Sequence, residues 1–443
     1  MTARGSAHRS RTPAAHAQEF PLSAEDLSIL ALENGTVVGH TGKVIVLDGE
    51  LSAAELRASI ASRVAATSEL RRRLVDGAAG PSWVIGSLDL EDHVRAHTSP
   101  APLDDAALRG SVATLFAQRL DRTRPLWRMD ILPALNDGRS AVVWRMHHAL
   151  ADGETCARLA CEVLWDTAPQ PESGPAHAVP PAAPVAAPRI RDRAAHARVL
   201  LREAPHVWNG SPFDGRIGAR RSVAFATADL DGLHRAAKAT HGATVNDALL
   251  SVVAGGLRHW LEERHGHLGS VRVKVPVSLH GLPEPGEPGQ AGNRDSFFCV
   301  DLPLGPGGPL ERLEAIRRAT RSRKDGHDAE RIDALMRDLG RASPRLRQFA
   351  ERVLAHPRSF AVNVSNVRGP RRPVTLLGRP VRSLHSVAEI RPRHALRIAV
   401  MSLANAVSFG LCADPTLLEG VDRLAAHMEE EAASLVASAA CAP

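Results

Sequence analysis

Segments with the hydrophobic pattern of a strand alternate along this chain with segments that have the hydrophobic period of a helix. Together they predict a mixed α/β fold. Short apolar runs rich in β-branched residues predict strands at 43–47, 127–132, 140–146, 222–227, 271–278, 297–302 and 360–364. Apolar residues three and four positions apart predict helices at 56–64, 108–120, 154–165, 245–261, 310–323, 332–339 and 417–428. Ser52 and Glu55 form a capping-box pattern before the first of these helices, and Thr244 is the expected N-cap of the fourth.

One segment interrupts this alternation. Residues 167–190 are crowded with Pro and Ala and lack periodic apolar residues, which predicts a linker. The polar residues 1–18 predict a disordered tail. The chain therefore divides into an N-terminal lobe at 19–166 and a C-terminal lobe at 191–443.

Composition limits the classes of function. Hydrophobic residues make up 44% of 443 positions, which is ample for sizeable cores. The net charge of +6 fits attraction to the phosphates of coenzyme A or to an anionic membrane surface, but the favoured interpretation is that arginines are scattered over a solvated surface. Because no basic run is interleaved with aromatic residues, we do not expect a nucleic-acid partner.

Cysteine usage and hydropathy predict the compartment. The five cysteines are dispersed and lack Cys-x-x-Cys spacing, which argues against a disulfide framework or a zinc site and favours the reducing cytoplasm. There is no uninterrupted apolar run of about 18 residues, so we expect no transmembrane helix. Any contact with the inner membrane or with lipid droplets is expected to be peripheral.

A polar turn joins a predicted strand to a predicted helix and contains His147, His148, Asp152 and Gly153. A neutral imidazole, with an ordinary pKa of about 6.5, can take a proton from a hydroxyl near neutral pH, so His148 is a candidate general base. Asp152 can orient the loop or form a structural ion pair, and His147 is expected to shape the turn. In the alternative interpretation, Asp152 caps the following helix and His148 is a satisfied core histidine.

The segment HHALADG at 147–153 resembles the HHxxxDG motif of the acyl-CoA-dependent acyltransferase superfamily. The flanking stretches resemble one branch, the bacterial wax ester synthase/diacylglycerol acyltransferase family. They occur in family order from about residue 20 to 435, so the resemblance covers nearly the whole chain. These stretches lie at 125–127, 211–218, 244–247, 276–278, 292–293, 365–370 and 409–411.

The resemblance implies two lobes like those of chloramphenicol acetyltransferase, with the active site in a channel between them. It also places Asn246, Asp247, Ser365 and Asn366 near that site in a supporting role. From the residues alone, the first pair can be helix capping and the second a simple turn. Arg368 stands where the family usually has proline, which affects the expected loop geometry and acceptor specificity.

The implied activity is transfer of a fatty acyl group from acyl-CoA, a co-substrate, to a long-chain alcohol or diacylglycerol. We expect direct transfer without a bound cofactor or metal, because no motif places a nucleophilic hydroxyl or thiol and no zinc, phosphate-loop or dinucleotide motif is present. The residues that bind coenzyme A are not predicted. Two alternatives stay open: an acyltransferase or condensing enzyme of the same fold acting on a specialised metabolite or a carrier-bound donor, and a catalytically silent lipid-binding protein.

Overall fold

The structure is a computed structural model. It describes residues 19–77, 80–99, 101–132, 134–167, 201–203, 211–266, 269–278 and 295–441. The predicted tail and all but the first residue of the predicted linker lie outside the described residues.

The N-terminal lobe is built on a six-stranded sheet with strands β2 (His40–Leu47) and β7 (Ser140–His147) at its centre. These two strands are antiparallel and buried on both faces, which explains why each reads as a continuous apolar run instead of an alternating one. In sheet order, the strands are β12 (Thr375–Leu376), β13 (Arg379–Ala388), β2 (His40–Leu47), β7 (Ser140–His147), β6 (Trp127–Leu132) and β5 (Val94–Ala96).

Five helices, a 3₁₀ turn (Glu69–Arg71) and a small sheet cover this lobe. The predicted capping box of Ser52 and Glu55 is confirmed, because each side chain accepts a backbone hydrogen bond from the other residue. The helices are α1 (Ala24–Leu32), α2 (Ala53–Ala66), α3 (Leu90–His93), α4 (Asp105–Phe116) and α5 (Gly153–Val163). The small sheet has the strand order β1 (Glu19–Pro21), β4 (Gly80–Ile85) and β3 (Arg72–Gly77).

The C-terminal lobe has its own six-stranded sheet, with helices packed against it. The sheet order is β10 (Asp295–Pro303), β9 (Ser270–Ser278), β11 (Val362–Val367), β14 (Leu396–Leu403), β15 (Ala406–Ala413) and β8 (Ser222–Asp229). The helices are α6 (Leu230–Ala239), α7 (Val245–His265), α8 (Pro309–Asp325), α9 (Asp328–Ala342), α10 (Pro344–Leu354) and α11 (Val421–Ala440).

The two lobes are joined by strands as well as by packing. β12 and β13 belong to the C-terminal half of the sequence, yet β13 pairs with β2 in the N-terminal sheet. Where β13 packs on β15, a Cβ atom at Gly410 would lie 1.8 Å from the carbonyl oxygen of Ser386. Glycine is therefore required in the Phe-Gly-Leu stretch at 409–411, since it lets two backbones approach closely.

The mixed α/β class and the two-lobe architecture predicted from the sequence are confirmed. Differences in detail have physical reasons. The last helix begins at Val421 and not at Leu417, whose side chain is 41% exposed in the loop before the helix. The strands β13 to β15 carry no clear period because both of their faces are largely buried. In the described part of the chain, no helix combines the length and the apolar character needed to cross a membrane.

Candidate active site

The turn at 147–153 leaves the central strand β7 and enters α5. The backbone amide of His148 donates to the carbonyl oxygen of Gly39, at 2.8 Å. The amides of Leu150 and Ala151 both donate to the carbonyl oxygen of His147. The turn is therefore fixed by backbone hydrogen bonds at both ends, and the imidazole of His148 projects from a rigid support.

His147 is buried at the start of the turn. Its Nδ1 accepts a hydrogen bond from the amide of Ala149 at 3.2 Å, so Nε2 carries the proton and lies 3.5 Å from a carboxylate oxygen of Glu33. Burial disfavours the charged form of Glu33, but hydrogen bonds from His147 and Arg122 outweigh this and lower its pKa to about 2. These contacts fix the orientation of the His147 imidazole, and its role in shaping the turn stays a prediction.

Asp152 is buried and is the N-cap of α5. Its carboxylate accepts a hydrogen bond from the amide of Thr155 at 2.7 Å. The negative charge also stands at the positive end of the helix dipole, where it is favourable. The capping role that the sequence offered as an alternative for Asp152 is therefore present in the structure.

A buried ion pair beside the turn joins Arg145 and Asp130, two residues that the sequence analysis did not single out. Arg145 donates through Nη2 to Asp130 at 2.7 Å and through Nη1 to the carbonyl oxygens of Leu115 and Gln118. Both charged side chains are at most 1% exposed. The available signal was an arginine two residues before His147 on the same face of an apolar strand.

His148 differs from its neighbour in the groups that surround it. Burial, helped by the positive charges of Arg397 and Arg391 and opposed by Asp152, lowers the pKa of His148 to about 3. Both arginines come from the C-terminal lobe. The imidazole is therefore neutral at physiological pH and can accept a proton, as a general base must.

Gly153 brings the turn against the C-terminal sheet. A Cβ atom on this glycine would lie 2.7 Å from Cγ2 of Val367, at the end of β11. In the parallel pair of β11 and β14, Asn366 stands opposite Val400. The glycine of the motif therefore allows close contact between the two lobes at the end of the turn that enters α5.

The structure brings together one residue from each of the two supporting pairs. The side-chain amide of Asn366 lies 3.5 Å from Oδ1 of Asn246, at the start of α7. Asp247 is instead buried, where it accepts hydrogen bonds from the backbone and hydroxyl of Thr244 and from Thr320. Asp247 thus completes a capping box, and Asn246 is the member of its pair that lies beside β11.

The remaining predicted positions lie on β11 or directly after it. Ser365 is half-buried on β11 opposite Ala399, and Arg368 is exposed just beyond the strand. Helix α5 begins only at Gly153, so His148 and Asp152 do not share a helical face as a two-residue metal motif would require. Among the described residues, no cluster of three or more His, Cys, Asp or Glu side chains is arranged to hold a metal ion.

Comparison with known proteins identifies the family. The profile of the wax ester synthase/diacylglycerol acyltransferase catalytic domain matches residues 22–207, and the profile of the C-terminal domain of that family matches residues 291–435. A putative diacylglycerol O-acyltransferase of Mycobacterium tuberculosis is 31% identical over 93% of this chain and 91% of its own length.

Two solved structures share the fold. The wax ester synthase/diacylglycerol acyltransferase of Marinobacter aquaeolei VT8 superimposes with a TM-score of 0.69 at 23% identity, covering 95% of this chain and 100% of that one. A starter condensation domain of rhizomide synthetase, solved with C8-CoA, superimposes with a TM-score of 0.58 at 16% identity, covering 95% and 94%. Because both domain profiles match and the mycobacterial relative aligns over nearly its full length, the chain belongs to the wax ester synthase/diacylglycerol acyltransferase family.

Proposed function

We propose that this protein is an acyl-CoA-dependent O-acyltransferase that transfers a fatty acyl group to the hydroxyl of a long-chain alcohol or diacylglycerol. The observation that carries the proposal is the position of His148, a histidine held in the turn after β7 by the hydrogen bond of its amide to Gly39 and with a pKa lowered by burial and by Arg397 and Arg391. Membership of the family and the names of the mycobacterial relatives support the reaction class. The neighbour solved with C8-CoA supports coenzyme A as the donor.

In the proposed mechanism, His148 removes the proton from the acceptor hydroxyl as the oxygen attacks the thioester carbonyl. The tetrahedral intermediate then collapses, the carbon–sulfur bond breaks, and the imidazolium returns the proton to the departing thiolate of coenzyme A. No covalent acyl-enzyme is involved. Asn246 and Asn366 are proposed to support the site as neutral hydrogen-bonding side chains, with Ser365 beside them.

The protein is proposed to act in the cytoplasm and to bind the surface of the inner membrane or of lipid droplets peripherally. Its acceptors are lipids, and a chain with a net charge of +6 is attracted to anionic lipid surfaces.

A second candidate keeps the fold and changes the substrates. The likeness to a condensation domain and the exposed Arg368 in place of the usual proline favour a donor held by a carrier protein or a specialised acceptor. A silent lipid-binding protein is less well supported, because His148 and Asp152 are both intact.

The test is a thiol-release assay in which the purified enzyme receives acyl-CoA or carrier-bound donors together with fatty alcohols or diacylglycerol, and mass spectrometry identifies the ester. We expect wax ester or triacylglycerol from acyl-CoA donors. Ester formation only from carrier-bound donors would establish the second candidate. Acyl-lipid binding with no thiol release from any donor would establish the silent protein.

A further inference from the structure

Helix α10 carries apolar side chains on two faces. On the first face, Ala350 and Leu354 are buried. On the second face, Leu346 and Phe349 are 50% and 65% exposed. Because an α-helix has about 3.6 residues per turn, Leu346, Phe349 and the half-buried Val353 form one stripe along the helix. Packing within the described part of the chain therefore covers the first face and leaves the second open.

Two arginines border this apolar stripe. Arg345 and Arg352 are exposed and lie about two helical turns apart on one side of the helix. On the same helix, Arg347 pairs with Glu351 at 2.9 Å. Among the described residues, no carboxylate forms such a pair with Arg345 or Arg352. Two positive charges beside the stripe are therefore available to an anionic partner.

Helix α1 of the N-terminal lobe adds a third exposed apolar side chain. Leu27 is 41% exposed, and the next residue, Ser28, donates a hydrogen bond to Glu351 of α10 at 3.0 Å. Leu27 and Arg352 line the same cavity between the two helices. Arg352 therefore stands between apolar side chains of α1 and of α10. Long basic side chains take such positions at lipid surfaces, where the stem packs on apolar groups and the charge stays in water.

The size of this patch favours a lipid surface over a second protein. Among the described residues, Leu27, Leu346 and Phe349 are three of five large hydrophobic side chains with such exposure. Their exposed parts add up to roughly 300 Å², whereas a stable protein interface buries about 800 Å² on each partner. A lipid surface needs no such area, because a few apolar side chains of an amphipathic helix enter it while basic neighbours meet its charge.

We propose that α10 binds an anionic lipid surface through five side chains, which form the α10 face: Leu346, Phe349, Val353, Arg345 and Arg352. The three apolar side chains enter the boundary between headgroups and acyl chains, and the two guanidinium groups meet the lipid phosphates. Each basic side chain near such a surface strengthens binding by about fivefold. This inference rests on the peripheral lipid binding of the proposed function and identifies the surface that makes the contact.

The first experiment measures how the full-length enzyme sediments with vesicles of phosphatidylcholine and phosphatidylserine. Phe349→Asp removes an aromatic side chain from the α10 face and adds a negative charge, so we expect at least tenfold weaker binding. The matched control is Leu201→Asp, because Leu201 is 71% exposed and belongs to neither α1 nor α10. The control should bind like the wild type, and thermal unfolding verifies that both variants are folded.

The second experiment tests the charges. Arg345→Gln/Arg352→Gln should weaken binding to the anionic vesicles at least tenfold and leave binding to vesicles of phosphatidylcholine alone unchanged. Added salt should weaken wild-type binding in the same way. The control is Arg216→Gln/Arg220→Gln, two exposed arginines before β8, at the edge of the C-terminal sheet opposite to β10. This control should have little effect.

The third experiment measures insertion with a variant that keeps an aromatic side chain. In Phe349→Trp, phosphatidylcholine brominated on its acyl chains should quench tryptophan fluorescence that the wild type lacks, provided that phosphatidylserine is present. Leu201→Trp should show no such quenching. An unquenched signal from Phe349→Trp on vesicles that bind the enzyme would mean that another surface makes the contact.

Two further results would overturn the proposal. One is a wild-type enzyme that leaves the anionic vesicles unbound, or α10 variants that bind like their controls. The other is a dimer in analytical ultracentrifugation that Phe349→Asp dissociates while vesicle binding stays unchanged, because the α10 face would then join two copies of the chain. Vesicle binding by an enzyme that releases no coenzyme A from any donor is a different result, which contradicts the proposed reaction and not this surface.

Discussion

The end of β7 and the turn after it carry polar side chains on two sides, and the side chains on the two sides have different roles. On the side turned toward α4, Arg145 and His147 are buried and face Asp130 and Glu33. On the side turned toward β11 and β14, His148 is influenced by the positive charges of Arg397 and Arg391 from the other lobe and by the negative charge of Asp152. One side therefore uses its charges to hold the turn in place, and the other keeps an imidazole neutral for chemistry.

This comparison shows why two consecutive histidines have different roles. Alternate residues of a strand point to the same face, so His147 lies on the face of Arg145, whereas His148 lies beyond the end of β7, in the turn. Gly153 adds the second requirement, because the turn can approach β11 closely only without a side chain at that position. Substitutions on the α4 side should therefore reduce stability, whereas those facing β11 should reduce turnover.

The largest expected effect is that of His148→Ala. General-base catalysis is worth ~10²–10⁴-fold, so kcat should fall by that factor with little change in donor binding or in the melting temperature. His147→Ala is the matched comparison and should lower the melting temperature more than it lowers kcat. Rates of coenzyme A release and thermal unfolding measure both. Near wild-type turnover of His148→Ala would end the general-base mechanism.

Removal of Asp130 should be the largest stability effect. Asp130→Ala leaves the guanidinium of Arg145 buried without its carboxylate, which costs about 3–5 kcal/mol of unfolding free energy. Urea denaturation measures the loss. The double variant Asp130→Ala/Arg145→Met should recover part of it, because the buried guanidinium of Arg145 is removed together with its carboxylate. An equally unstable double variant would show that the charge of Arg145 is not the cause.

The close contact at Gly153 can be tested by filling it. Gly153→Ala places a Cβ atom 2.7 Å from Cγ2 of Val367, and overpacking of this kind costs about 1–3 kcal/mol. We expect a lower melting temperature and lower turnover. The second-site change Val367→Ala should restore both. If Val367→Ala restores neither, the glycine is required for a reason other than the close contact between the lobes.

Substitutions of Asp152 distinguish the contribution of helix capping from that of the negative charge. Asp152→Ala removes the N-cap of α5 and should cost about 0.5–2 kcal/mol, whereas Asp152→Asn keeps a good cap and should lose less. Chemical denaturation of the two variants gives the difference. Equal losses would indicate that the negative charge matters more than the cap, as in the ion-pair hypothesis drawn from the sequence.

The smallest expected effect is that of pH on turnover. Burial, together with Arg397 and Arg391, holds the pKa of His148 at about 3, so the rate should show no protonation step near pH 6.5 between pH 5.5 and 8. Because the unfolded histidine binds a proton more readily, His148 makes stability fall as the pH drops below about 6.5. pH–rate profiles of the wild type and of Arg397→Gln test the expectation for turnover. In the variant, the acid limb of the profile should move to higher pH. A protonation step near pH 6.5 in the wild type would contradict the mechanism.

The sequence was sufficient where one local pattern dominates. The runs at 127–132 and 140–146 predicted β6 and β7 closely, and the capping residues Ser52 and Thr244 predicted the starts of α2 and α7. The turn at 147–153 was recognised because its residues are consecutive. By contrast, Arg391 and Arg397 could not be predicted as neighbours of His148, because only tertiary packing brings them there.

By itself, the sequence determined the class of fold, the position of the turn and the identity of the candidate base, because strand and helix periods and a contiguous motif are local properties. Only the tertiary structure decided that Asp152 caps a helix, that a buried ion pair joins Arg145 to Asp130, and that Asn246 approaches Asn366 while Asp247 is turned into a capping box. These outcomes depend on which distant segments pack around each side chain, and they set its burial, its hydrogen-bond partners and its charge.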